Sequence, residues 1–238
     1  MVFNIAKTRV GAFSENDGTI DFYLRCRALG ASDSVVLDLG AGRGGWYIDD
    51  QCATRKEIRL LRGTVRHVIA ADLDAAVLQN ECSDSQVLIE NDDLGLEDES
   101  VDLIIADYVL EHVEDVKEFY RQVNSVLNKG GWFCARTPHK YSYPGLAASI
   151  IGNRFHQSLL KYIQPGRKAE DVFPTYFRMN TVSEISRLFQ GWEDKTFVYR
   201  VEPSYFFGNK FLFYILSFFH RLLPAFVSGN IFIFVRKP

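Results

Sequence analysis

The stretch VLDLGAGRGG, residues 36–45, is an apolar run ending in a glycine cluster. It carries one carboxylate, Asp38, two residues before glycines at 40, 42, 44 and 45. Glycines so placed let a strand turn sharply into a helix and let backbone N–H groups approach a ligand closely. The cluster satisfies two nucleotide-binding spellings at once: G-x-G-x-x-G ending at Gly45, and G-x-G-x-G ending at Gly44. A dinucleotide site expects an acid about 20 residues beyond the loop to take a ribose hydroxyl. Here the acid at the end of the next strand is Asp72, in VIAADLD, which is far for that role. The dinucleotide strand is also ordinarily apolar where Asp38 stands, whereas a carboxylate there suits a cationic ligand.

Working outward, apolar runs that suit buried parallel strands occur at 35–39, 67–71, 86–90, 101–106 and 132–136, with longer, more polar segments between them. That alternation implies an α/β fold, a doubly wound and mostly parallel sheet. Final strands at 196–201 and 231–235 bring the expected total to seven, with helices on both faces. In DVKEFYRQVNSVLNKGG, Val116, Phe119, Val123, Val126 and Leu127 fall on one helix face, and the Asn-Lys-Gly-Gly turn ends it. In TVSEISRLFQG, Thr181 and Glu184 have capping-box spacing, Val182, Ile185 and Leu188 form the buried stripe, and Gly191 stops the helix.

Composition sets outer bounds. A chain of 238 residues with 47% apolar content can bury one sizeable core, and residues 1–238 are read as a single domain. A net charge of -3 gives no general footprint for nucleic acid, so none is expected as a partner. Cys26, Cys52, Cys82 and Cys134 form no C-x-x-C pair and are read as free thiols in a reducing compartment. The opening MVFNIAKTRVGAFSEND has no apolar stretch long enough for a signal peptide, and a cytoplasmic location is expected.

Two further stretches, LGLEDESVDLIIADYVLEHVED and VLNKGGWFCARTPH, complete an ordered set. Together with VLDLGAGRGG and VIAADLD, they resemble the four motifs of class I S-adenosylmethionine-dependent methyltransferases of the type 11-like group. The third matches the family pattern LPFPDxSFDxVxxxxVLEHVxD without a gap, and the fourth matches VLKPGGxxxxxTPN. The resemblance implies a Rossmann-like fold, S-adenosylmethionine as cofactor and S-adenosylhomocysteine as product. It places Asp38, Gly40 and Gly42 around the methionine part of the cofactor and Asp72 on the ribose hydroxyls. It puts Glu90 at the adenine with Asn91 beside it. The family usually has Gly-Asp there, so Asp92 competes for the role. Asp107 matches a position that lines the methionine end.

Related small-RNA and quinone methyltransferases use an E-x-x-E-H motif that could ligate a metal, but Tyr108 stands here where the first glutamate would be, and no metal is expected. The catalytic candidates are His112, which closes that motif, and His139, which replaces the usual asparagine after Thr-Pro. Either imidazole could take a proton from an acceptor hydroxyl, because imidazole titrates near working pH. Residues 140–180 form an insertion expected to cap the acceptor pocket. Lys140, Arg154, His156, Lys161, Arg167 and Lys168 make it basic, and Tyr141, Tyr143, Phe155, Tyr162, Phe173, Tyr176 and Phe177 give it flat apolar surfaces. A solvated face over a packed interior, or a pocket for an anionic or ring-shaped acceptor, would both use such residues. Its end, DVFPTYFRMNT, resembles a pattern shared with uncharacterised bacterial methyltransferases.

A second insertion, 205–224, holds NKFLFYILSFFHRLLP. Apolar nearly all round, it offers only residues 211–219 before His220 and Arg221 intervene, far short of the roughly 20 residues that span a bilayer. A buried or lid-forming helix, a dimer face and a peripheral membrane contact all fit it, and the chain is read as a monomer or homodimer. The function implied is methyl transfer to a small-molecule or glycan/lipid-linked acceptor, with oxygen as the methylated atom. A non-catalytic cofactor-binding partner protein and an NAD-dependent oxidoreductase are the alternatives; tight NADH binding would favour the latter, and turnover would exclude the former.

Overall fold

Runs of Val, Ile, Leu and Ala with no polar face have to be covered on both sides, and they form the middle of the sheet. The computed structural model describes residues 9–91, 93–143, 174–203 and 206–238. Five strands run parallel: β1 (Val35–Leu39), β2 (His67–Asp72), β3 (Ser85–Leu88), β4 (Val101–Asp107) and β5 (Leu127–Pro138). β6 (Glu193–Asp194), β7 (Phe197–Arg200) and β8 (Gly229–Arg236) complete it, with β8 antiparallel to its neighbours. The order is β3-β2-β1-β4-β5-β8-β6, and β7 also pairs with β8. All seven expected strands are therefore present, and the penultimate one is split. The Asp194 carboxylate accepts the Thr196 N–H at 2.8 Å, a local turn that interrupts the ladder and makes eight strands.

Helices cover both faces. On one lie α1 (Gly18–Leu29), the single-turn α2 (Trp46–Asp49) and α3 (Ala53–Arg59). Phe22, Tyr23 and Cys26 of α1 pack there on Val36, Ile105, Cys134 and Phe232. On the other lie α4 (Val116–Val126) and α5 (Val182–Leu188), whose Val123, Val126 and Ile185 pack on Leu37, Ile104 and Phe133. Asp17 caps α1 by accepting the N–H groups of Thr19 and Ile20 at 3.0 and 3.1 Å. Arg55 of α3 bridges the carboxylates of Asp17 and Asp50, tying α1 to α3. Thr181 caps α5 as expected, and Glu184 reaches back to the N–H of Asn180 rather than of Thr181.

The second insertion forms α6 (Lys210–Leu222) and the short α7 (Ala225–Ser228). A buried helix was one expectation for it, and only Phe213 and His220 of α6 are buried. Its outward row is apolar and exposed. Of the first insertion, Lys140–Tyr143 and 174–180 are described; Arg154, Phe155, His156, Lys161, Tyr162, Arg167, Lys168 and Phe173 lie outside the described residues, as does Asp92.

Phe133 is fully buried, stacked on Phe189 with centroids 5.3 Å apart and edge-on to Phe119 at 5.9 Å. Phe133→Ala should cost about 3–5 kcal/mol through lost burial and the cavity left behind. Urea unfolding followed by circular dichroism reads this, and a loss below about 1 kcal/mol would mean that the aromatic cluster repacks.

Candidate active site

Side chains alternate across a strand, so parity along each strand decides which groups meet. Asp38 follows Val36 on β1, Asp72 follows Val68 and Ala70 on β2, Asp107 follows Leu103 and Ile105 on β4, and Arg136 follows Cys134 on β5. Those apolar residues belong to or adjoin the core under α1, so all four charged groups point to the α1/α3 side at the C-terminal edge of the sheet. Asp38, on β1, lies in register with Ala70 of β2 and Ile105 of β4, next to the junction of β1 with β4. The strand order reverses between these two strands, which is where open α/β sheets bind ligands.

The glycine loop decides between the two spellings. Gly40, Gly42 and Gly44 have φ of +73°, +51° and +68°, whereas Gly45 has an ordinary helical φ of -56°. The strained positions are those of G-x-G-x-G. The helix after the loop is a single turn, which offers little macrodipole for a pyrophosphate. A Cβ on Gly40 would lie 2.3 Å from Val109 Cγ2, and one on Gly44 would lie 2.7 Å from Asn80 Oδ1, so both glycines are required by packing within the protein. Gly42 differs, since a Cβ there would approach nothing closer than Asp72 Oδ2 at 4.0 Å. Its open side is where a ligand can lie against the backbone.

Internal hydrogen bonds hold this loop. Gly40 and Ala41 donate to the Ala71 carbonyl at 2.7 and 3.2 Å. Gly42 N–H donates to Asp72 Oδ2 at 2.8 Å, and Asp74 N–H donates to Asp72 Oδ1 at 2.9 Å. Asp74 caps the next turn by accepting from Ala76, which separates capping from the role of Asp72. The buried Asn80 donates to the Gly42 carbonyl at 2.9 Å and had no motif to announce it. Beside Asp72, Ile89 N–H donates to the Asp72 carbonyl at 2.8 Å, carrying the exposed Glu90 and Asn91 to the same edge. Asn91 has φ of +53°, in a turn closed by Asp93 N–H donating to Glu90 O at 3.0 Å.

Asp107 is the hub of a buried ionic cluster. Arg136 holds it with two hydrogen bonds, Tyr23 Oη donates to Oδ2 at 3.2 Å, and Arg59 Nη2 lies 3.3 Å from the same oxygen. Burial raises its carboxyl, but Arg136 and Arg59 outweigh that and hold it below the usual range. The Arg59 guanidinium stacks over Trp46 at 4.5 Å and Tyr23 at 5.2 Å, and its buried Nε has no hydrogen-bond partner. Asp38 has the opposite balance. Burial pushes it up to about 7; Arg59 opposes the shift, and Asp107 and Asp72 add to it.

The ends of β4 and β5 form the other half of the site. Tyr108 has φ of +60°, a strained conformation for a bulky residue, and its hydroxyl accepts from Asn230 at 2.6 Å. Glu111 is buried and accepts from Thr137 at 2.9 Å; Thr137 in turn accepts from Asn180 Nδ2 at 2.6 Å. Backbone N–H groups of Tyr176 and Phe177 donate to the Glu111 carbonyl, so the end of the first insertion is fastened to this corner. His112 Nδ1 lies 2.7 Å from the carbonyl oxygen of Pro174, which can only accept, so Nδ1 carries a proton. His139 is the reverse: Tyr141 N–H donates to its Nδ1 at 3.2 Å, leaving the proton on Nε2. Burial lowers its pKa. Among the described residues no group of three His, Cys, Asp or Glu could hold a metal.

A family model described as a methyltransferase domain matches residues 14–192. The chain belongs to this methyltransferase family. No curated protein matches it in sequence. Among solved structures it is similar to a geranyl diphosphate C-methyltransferase from Streptomyces coelicolor A3(2), in complex with Mg2+, geranyl diphosphate and S-adenosyl-L-homocysteine. The identity is 13% and the TM-score 0.56, over 93% of this chain and 78% of that one. An S-adenosylmethionine-dependent methyltransferase from Mesorhizobium loti is 19% identical, with TM-score 0.53 over 90% and 96%. One from Archaeoglobus fulgidus is 14% identical, with TM-score 0.52 over 94% and 95%. The methyltransferase is an enzyme of the S-adenosylmethionine-dependent class.

Charging Asp38 in the ligand-free methyltransferase opposes folding. Its folded pKa is raised, so the penalty is absent at acid pH, where both states are protonated, and it grows as pH climbs to about 7. Asp38→Asn should therefore raise the Tm of ligand-free protein, and by more at pH 8 than at pH 5. Differential scanning calorimetry at the two pH values tests this. Equal shifts would show that Asp38 does not titrate in that window.

Proposed function

We propose that this methyltransferase transfers the methyl group of S-adenosylmethionine to a hydroxyl oxygen of a small-molecule or glycan acceptor, lipid-linked forms included, with His112 as general base. The residues present suit the cofactor. Asp38 offers a carboxylate to the ammonium and sulfonium end, and the orphaned Nε of Arg59 offers a donor to the methionine carboxylate. Gly40 and Gly42 line the loop, Asp72 faces the ribose hydroxyls, and Glu90 with Asn91 lies beside it for the adenine side. Asp107 acts through Arg59, which it holds in place.

When bound, the cofactor supplies an electrophilic methyl carbon. The protein has to hold an acceptor oxygen in line with it and keep water out, which are contributions of entropy and desolvation. A hydroxyl is a poor nucleophile, and proton removal helps it. The observation that supports the oxygen reading is the His112 Nδ1–H bond to Pro174, which in the neutral ring leaves Nε2 as the basic nitrogen. His139, neutral and with its proton on Nε2, is suited to donate a hydrogen bond to the acceptor. Tyr176 and the fastened end of the first insertion close the acceptor side, and the remainder of that segment, with its basic and aromatic residues, fits an anionic or ring-shaped acceptor.

Release of S-adenosylhomocysteine from hydroxyl-bearing acceptors, soluble and lipid-linked, tests the reaction. His112→Gln should lower kcat by about 10²- to 10⁴-fold, with cofactor affinity unchanged. An unaltered kcat would exclude His112 as the base. Asp72→Ala should weaken S-adenosylhomocysteine binding by about 1–3 kcal/mol, through loss of a charged hydrogen-bond acceptor. Unchanged affinity in that folded variant, measured by calorimetry, would remove Asp72 from the cofactor site.

A further inference from the structure

The α6 helix carries apolar side chains outward as well as inward, where Phe213 is buried. Its inward positions include Ser217, whose hydroxyl donates to the Phe213 carbonyl at 2.7 Å, and His220, whose Nδ1 lies 3.0 Å from the Val201 carbonyl. Its outward positions carry Phe211 at 75% exposure, Phe218 at 59% and Leu222 at 66%, spaced along one face. A contiguous apolar row of this kind, turned to the outside, marks a contact surface.

We infer that α6 docks the methyltransferase on an anionic lipid surface, lying in the plane of the interface. Charge complementarity favours lipid. Residues 203–238 contain no Asp or Glu, in a chain that has 30 of them, and exposed Lys210 and Arg221 stand at the two ends of the apolar row. Cations flanking an aromatic and aliphatic face are the pattern of an interfacial helix, with the rings in the acyl boundary and the ammonium and guanidinium groups among the headgroups. A second copy fits less well, because an isologous contact between two such helices would bring like charges together with no acid to offset them. At thirteen residues α6 is about 20 Å long and cannot span a bilayer, and no helix among the described residues is long and apolar enough to do so.

The position of the row relative to the site is informative. His139 packs on Phe226 of α7 at 5.8 Å, and Tyr143 packs on His220 of α6 at 5.4 Å. The chain leaving the ligand-facing end of β5 thus runs directly against the helix that carries the apolar row. Docking through α6 would bring the acceptor end of the site to the membrane surface, within reach of an acceptor held there by an acyl or prenyl tail.

Flotation of the full chain with phosphatidylcholine vesicles, with and without phosphatidylglycerol, tests this. The protein should float with the anionic vesicles, and less so as salt is added. Lys210→Gln with Arg221→Gln should weaken partitioning about 25-fold, at roughly fivefold per basic residue removed. Phe211→Ser with Phe218→Ser should abolish flotation. S-adenosylhomocysteine affinity equal to that of the parent would show these variants to be folded, independently of acceptor chemistry. Failure of the parent to float with anionic vesicles, or flotation of the phenylalanine variant equal to the parent, overturns the inference. Light scattering in which the phenylalanine variant turns a dimer into a monomer, with vesicle binding unchanged, would assign the face to a second copy.

Discussion

Two arginines and a tyrosine converge on the carboxylate of Asp107 at the end of β4, and the geometry of the site is built around that cluster. Taking these charges out of water is costly, and a buried pair seldom adds net stability over an apolar substitute. What it gives is position. Arg136 comes from β5, Arg59 from α3 and Tyr23 from α1, so one carboxylate fixes two layers of the fold against each other. Arg59 then stacks over Trp46 while its Nε keeps a hydrogen-bonding capacity that no described residue uses. Asp107 is held below the usual carboxylate range, whereas burial pushes Asp38 up to about 7, at positions only two residues apart in strand register. A cationic ligand entering beside Asp38 would supply the positive charge that the protein itself withholds.

Much of this was legible in the residues alone, for identifiable reasons. Parallel strands buried on both faces read as unbroken apolar runs, and all of those expected are present. The glycine cluster remained ambiguous because spelling carries no dihedral angle. The ambiguity ended only when Gly45 proved helical and Gly44 proved to be pressed against Asn80. Tyr23 and Arg59 were invisible for a different reason. Their partner Asp107 is 84 residues from Tyr23 in sequence, and no local pattern encodes a contact at that range. The split of the penultimate strand was also hidden, since it depends on one aspartate side chain competing for a backbone N–H that a ladder would otherwise use.

At the ends of β4 and β5, two histidines that look equivalent in sequence differ in the group that faces Nδ1. A carbonyl facing His112 Nδ1 and a backbone N–H facing His139 Nδ1 put the proton on opposite nitrogens. Such assignments come from segments that fold back from far along the chain, Pro174 in one case, and from a tight local turn in the other. The buried Glu111, Thr137 and Asn180 chain holds the first of these segments in place, so His112 and the described end of the first insertion are mechanically one unit.

Methyl transfer asks little covalent chemistry of a protein and a great deal of positioning. Positioning is hardest for an acceptor whose reactive hydroxyl is attached to a tail that prefers lipid, because extracting the tail into water costs about 0.8 kcal/mol for each methylene. An enzyme that comes to the interface avoids that cost and needs to close only around the headgroup. The α6 helix, with Phe213 and His220 turned inward and the rings of Phe211 and Phe218 exposed, would serve such an arrangement. Its contact with Tyr143, beyond the end of β5, would then have a physical reason: on the proposed reading the first insertion would meet the acceptor's polar end, and α6 would hold the protein where the apolar end already is.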